Sequence, residues 1–170
     1  VARPGDGPAD WIDLCGVADP VEAFEAAEPL DPRGYLVANL TGGLPAALAT
    51  LHRATIFQPS HRRANGAADR LWAELPLALS TGGSPATDQN DSMQLAIWLA
   101  VRNHRLTVEE AVWSATRGSA IALDWGERGL LVRGAPGDAV ILDTERLDDL
   151  VTDPAHSLVW KVFRGGALVH

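Results

Sequence analysis

Up to residue 104 the chain alternates short apolar runs with longer stretches of helical spacing. "WIDLCGV" (11–17), "GYLVANL" (34–40), "ATIFQP" (54–59) and "LPLALST" (75–81) are compact apolar runs, the texture of strands buried on both faces. Behind them come "PVEAFEAAE" (20–28), which opens on Pro20 and Glu22 as a helix's first turn favours, "LPAALATLH" (44–52), "AADRLWAEL" (67–75) and "DSMQLAIWLAVRNH" (91–104). A helix between two strands supplies the crossover that parallel pairing requires. Four strand-then-helix units in succession therefore predict an α/β fold with a parallel sheet. Thr107 and Glu110 make the T-x-x-E pattern of a capping box and open a further helix, "TVEEAVWSATRGSAIAL" (107–123), with no strand before it. There the alternation stops.

From residue 129 the pattern shortens to "LLVRG", "DAVILD" and "SLVWKVFRGGALV", apolar runs rich in β-branched residues and separated by Gly, Pro and Asp. They predict a small antiparallel sheet, with "RGG" as a hairpin turn whose glycines accept positive φ. The resulting division is a flexible N-terminus over 1–10, rich in Pro and Gly, an α/β part over 11–125, and the strands of the small sheet over 126–170. The first residue is Val1 rather than methionine, which fits an alternative start codon and fits a fragment of something longer.

Composition narrows the partners. A chain of 170 residues, 46% of them apolar, can bury a sizeable core as one domain or one plus a small appendage. A formal charge of −8 lacks the basic footprint that phosphate binding needs, so neither nucleic acid nor an anionic membrane is expected as a partner. A small organic ligand or another protein stays open. Cys15 is the one cysteine, which leaves no intramolecular disulfide and points to a reducing compartment, the cytoplasm. No stretch approaches the roughly 20 apolar residues of a membrane span, and no basic, apolar leader opens the chain.

Ligands of parallel α/β folds bind at the C-terminal ends of the strands. Here those positions hold Cys15 and Gly16, Asn39 and Thr41, Gln58, Ser60 and His61, then Thr81, Gly82 and Ser84. Metal-assisted hydrolysis needs three or more converging ligands and an open position for water. Of these side chains only His61, with Cys15 a weak second, is a plausible ligand, so no catalytic metal site is expected in this chain alone. His61 sits beside Arg62 and Arg63 in a loop, and His52 and His104 fall near helix C-termini, where an imidazolium suits the dipole. His156 and His170 lie in the region of the terminal sheet. The nucleophile-elbow, P-loop and dinucleotide-binding glycine patterns are all absent. The loop "STGGSPATD" (80–88) either presents backbone N–H groups to an anion or simply connects a strand to a helix. Trp98 and Trp113 belong to apolar helices and Trp160 to a strand, as packing residues.

The stretch "LALSTGGSPATDQNDSMQLAIWLAVRNHRLTVEEAVWSATRGSAIAL" (77–123) resembles a segment of imidazolonepropionases. That segment reads A-L-A-T-D-x-N-P-G-S, then S-M and an apolar helix, M-T-x-E-E-A, and A-T-x-x-x-A-x-A-L. "GAPGDAVILD" (134–143) is similar to the family's G-K-x-A-D-L-x-x-L-D, and "LVWKVFRGGALV" (158–169) to its closing V-x-x-V-x-x-x-G-x-x-V. Over 75–170 the match runs nearly without gaps; before that, "ADWIDLCGV" (9–17) resembles the strand W-V-D-V-F-C and "YLVANL" (35–40) the strand V-H-A-D/N-E/Q.

The resemblance implies a metal-dependent amidohydrolase, using zinc or iron, with a distorted (β/α)₈ TIM barrel and a small β-sandwich. Its reaction hydrolyses a non-peptide C–N bond, opening the ring of imidazolone propionate in histidine breakdown. A full barrel takes roughly 200 residues or more, so the expectation is the C-terminal half of a barrel followed by the C-terminal strands of the sandwich, a truncated form. Carried over residue by residue, the metal-binding histidine of V-H-A falls on Val37 and the acid or amide after it near Leu40. The A-D-H histidine strand is deleted between Gly43 and Ala54, and the His-x-His pair has no counterpart. The metal-binding aspartate of A-T-D falls on Gly82. On the substrate side the family's Asn, Gly and Ser fall on Ser84, Ala86 and Thr87, leaving Ser84 and Thr87 as the substrate-binding candidates.

The expectation is thus an imidazolonepropionase-like chain with no catalytic or metal-binding residue of its own, no cofactor, and no activity alone. Its open barrel edge calls for a homo- or hetero-oligomer to cover it. Two other readings stay open: a non-catalytic interaction or scaffold protein built on the half-barrel, and a small ligand-binding domain using the 80–88 loop.

Overall fold

Four strands, β1 (Trp11–Asp13), β2 (Gly34–Ala38), β3 (Ala54–Gln58) and β4 (Leu77–Leu79), pair in the order of the chain, every neighbour parallel. They come from a computed structural model that describes residues 11–13, 26, 29, 34–38, 54–59, 77–82 and 90–170. Each strand lies inside one of the four apolar runs and is shorter than it. The register sets Val37 beside Phe57 and Phe57 beside Leu79, and the Ser80 N–H extends the last ladder by donating to the Phe57 carbonyl at 2.8 Å. Leu77, Ala78 and Leu79 are all buried, as a strand covered on both faces must be; this is why the run shows no polar alternation. The helices expected over 20–28, 44–52 and 67–75 lie outside the described residues, apart from Ala26, which is helical.

The helix α1 (Met93–His104) starts where Asp, Ser and Asn cluster. Ser92 caps it, its Oγ accepting from the Leu95 N–H at 3.2 Å, while Asn90 Oδ1 accepts from the Ser92 N–H at 2.8 Å. Its buried face is Ala96, Ile97, Leu99, Ala100 and His104. His104 ends the helix, as its place in the sequence predicts; the structure adds that it is 2% exposed and meets the Phe57 ring edge-on, centroids 4.7 Å apart. The i, i+4 step from Ala100 puts it on the buried face of the helix, against Phe57 of β3.

The capping box forms as predicted. In α2 (Val108–Trp113) the Thr107 N–H donates to Glu110 Oε2 at 2.7 Å and the Glu110 N–H returns a bond to Thr107 Oγ1 at 3.2 Å. The expected single helix over 107–123 is nevertheless interrupted by a π-helical turn, Ser114–Gly118, before α3 (Ser119–Ala122). The turn brings the helix hard against β4: a Cβ on Gly118 would stand 2.2 Å from the Leu77 carbonyl oxygen, and the Ser119 hydroxyl lies 3.2 Å from the Leu79 carbonyl.

The antiparallel sheet holds β5 (Ala139–Leu142), β6 (Val159–Arg164) and β7 (Ala167–Leu168), in that order. Gly165 and Gly166, with φ of 58° and 81°, form the two-residue turn of the predicted hairpin; positive φ at both positions matches the twist of the flanking strands. "LLVRG" is no strand. Gly129 and Gly134, at φ 73° and 92°, bracket it with turns, and Leu131 stays 82% exposed. Between β5 and β6 a 3₁₀ helix, Leu147–Val151, packs on α1. Gln94 of α1 ties down the loop that follows: its Nε2 lies within hydrogen-bond reach of the Asp153 and His156 carbonyls at 3.2 and 2.9 Å, and its Oε1 accepts from the Leu158 N–H at 3.1 Å. Among the described residues no helix is long and apolar enough to cross a membrane.

Candidate functional site

Because the four strands are parallel, their C-terminal ends share one edge, and the residues just past them are the ones a ligand can meet. The structure describes Gln58, Ser80, Thr81 and Gly82 there. Cys15, Gly16, Asn39, Leu40, Thr41, Ser60 and His61 lie outside the described residues, as do the substrate-binding candidates Ser84 and Thr87. Val37 is placed by its backbone alone, on β2 beside Phe57.

Gln58 ends β3 and is only 3% exposed. Gly82 lies two residues beyond the carbonyl-bound Ser80, with φ +80° and its N–H donating to Ser80 Oγ at 3.2 Å. The two positions meet: a Cβ on Gly82 would come 1.8 Å from Gln58 Nε2, 2.1 Å from Cδ and 2.7 Å from Cγ. The carboxamide of Gln58 therefore fills the volume in which a side chain at position 82 would begin. A left-handed φ adds to the bias toward glycine.

This is the position at which the resemblance implies a metal-binding aspartate, and the residues present do not fit a metal there. The side chain that would reach the ion has no room, and its place is taken by a neutral amide, a poor ligand for zinc. Among the described residues no group of three or more His, Cys, Asp or Glu side chains is assembled that could hold a metal ion.

Among the described residues a titratable pair stands away from the strand ends. Asp153 and His156 pair at 2.6 Å in the exposed loop before β6. The hydrogen bond from His156 first, then the Ala155 N–H, hold the Asp153 carboxyl below the ordinary carboxylate value. Since Asp153 also closes its own turn through Ala155, the pair is a loop fastener. Sequence reasoning placed Gln58 and Gly82 among the strand-end residues but saw no link between them. The available signal was a long polar side chain ending one strand and glycine just past the next.

No family profile matches the chain. An imidazolonepropionase from Nocardia farcinica (strain IFM 10152) is 40% identical over 100 residues, covering 59% of this chain and 26% of that protein. Another, from Salinispora arenicola (strain CNS-205), is 38% identical over 128 residues, covering 75% of this chain and 32% of that protein. Among solved structures, atrazine chlorohydrolase TrzN from Arthrobacter aurescens TC1, complexed with zinc, superposes with a TM-score of 0.68 at 18% identity, covering 85% of this chain and 38% of that one. An identity that low speaks for the fold alone. The matches to the curated relatives span 26% and 32% of their lengths. In sequence the similarity is to imidazolonepropionases; in fold it is to atrazine chlorohydrolase.

Proposed function

We propose, from a chain that is imidazolonepropionase-like in sequence and amidohydrolase-like in fold, that it is an amidohydrolase relative that does not by itself perform metal-dependent hydrolysis. In this reading residues 11–125 are part of a (β/α) barrel and residues 126–170 part of the small β-sandwich beside it. The strict succession of β1 to β4, parallel and without reversal, supports the barrel, because a doubly wound sheet changes direction at a switch point. The lone cysteine suits the cytoplasm.

The observation that carries the proposal is the Gln58 carboxamide lying where a side chain at position 82 would begin. Without a side chain bonded to the metal the water activation on which hydrolysis of a cyclic C–N bond depends is lost, and no neighbour several ångströms away replaces it. The test is dialysis of the purified chain against zinc and, separately, iron, followed by metal analysis and an assay of imidazolone propionate ring opening. No stoichiometric metal and no turnover are expected. Retention of one metal per chain together with turnover would overturn the reading.

A second reading, a non-catalytic scaffold that works through a protein partner, is favoured by the apolar surface of the C-terminal region, where Val140, Trp160, Leu168 and Val169 are exposed. Under either reading a homo- or hetero-oligomer covers the open edge. Ser84 and Thr87 remain the positions at which a small ligand would be held.

A further inference from the structure

We infer that Gln58 and Gly82 are a coupled pair, so that the strand ends exclude a side chain at position 82 rather than merely lacking one. A single return from glycine to an acid at this position meets two obstacles at once. The first is the Gln58 side chain, whose Nε2, Cδ and Cγ all lie within 2.7 Å of the Cβ such a residue would carry. The end of a glutamine can usually swing away at little cost. Gln58 is buried to all but 3% of its surface and has no solvent to swing into, so the neighbouring core must move with it. The second is the φ of +80°, which glycine adopts freely and a side chain does not.

These obstacles are separable. The backbone conformation penalises a side chain at 82 whatever stands at 58, whereas the clash vanishes when Gln58 is shortened. A carboxylate can regain this position only if residue 58 changes first or together with it. The packing holds whether or not the amidohydrolase reading is right; only its meaning as a closed metal position rests on that reading.

The experiment is a double-mutant cycle in the full chain, comparing Gly82→Ala, Gln58→Ala and the double substitution by thermal unfolding. Gly82→Ala is expected to lower the midpoint by roughly 4 °C or more beyond what it does in the Gln58→Ala background. The φ penalty is common to both backgrounds and cancels. Equal shifts in the two backgrounds would overturn the inference. Should Gly82→Ala fail to fold while the double variant folds, the pair is coupled as stated. Should neither fold, side-chain amide hydrogen exchange in the unsubstituted chain decides: slow exchange at Gln58 Nε2 supports the packing, and exchange at the rate of a solvated glutamine refutes it. Failure of the cycle leaves the metal and turnover assay untouched, and the reverse also holds, so the two readings fail separately.

Discussion

Gly118 shows how far one missing carbon matters. Glycine to alanine within a helix ordinarily stabilises by up to about 1 kcal/mol, because alanine has less backbone freedom to lose. At Gly118 the added methyl meets the Leu77 backbone oxygen at 2.2 Å, an atom held in a buried strand that cannot turn aside. Gly118→Ala is therefore expected to reverse the usual sign and destabilise by about 1–3 kcal/mol in urea unfolding, as overpacking does. Asp153 offers a second test at this scale. Its folded-state value is lowered, so its contribution is in place above the ordinary carboxylate value and is lost as pH falls through the lowered one. The difference in unfolding midpoint between the native chain and Asp153→Asn should hold at neutral pH, disappear in acid below the carboxylate range, and shrink with added salt, since the pair is exposed. Single residues were the least legible from sequence. His104 is legible as a helix-end histidine but not as one buried against Phe57, and the strand-end glutamine and the glycine past the next strand do not by themselves say that they touch.

Elements were far more legible, because local chemistry governs where they start and turn. Thr107 and Glu110 are three residues apart, and the reciprocal bonds between them follow from that spacing alone. Thr107→Ala should cost about 1 kcal/mol, read as a lower urea midpoint at unchanged slope. The two glycines of the β6–β7 turn are equally local, since both positions need positive φ. Legibility failed where an element depends on a neighbour. "LLVRG" has the composition of a strand, yet a strand exists only when paired, and glycines with positive φ on either side turn the chain instead. The π-helical turn over Ser114–Gly118 likewise coincides with close docking onto β4, a neighbour the helix's own sequence does not reveal.

At the scale of the whole molecule the issue is what covers the apolar surface. Leu131, Val132, Trp160 and Val169 are all more than half exposed, apolar surface that the proposed oligomer would bury. Light scattering coupled to size exclusion should accordingly return a mass well above the 18.1 kDa of one chain, and a mass of one chain at micromolar concentration would count against an oligomer.

The places of the four parallel strands, the α/β class, the capping box, the hairpin and the likeness to imidazolonepropionases were determined by the sequence alone. Each rests on periodicity, on backbone preference at one or two residues, or on a run of matched positions. The burial of His104, the break in the helix at Ser114, the exposure of Leu131 and above all the meeting of Gln58 with Gly82 were decided only by the tertiary structure. Those depend on residues far apart in the chain coming within a few ångströms of one another, and at that range excluded volume overrules every local preference.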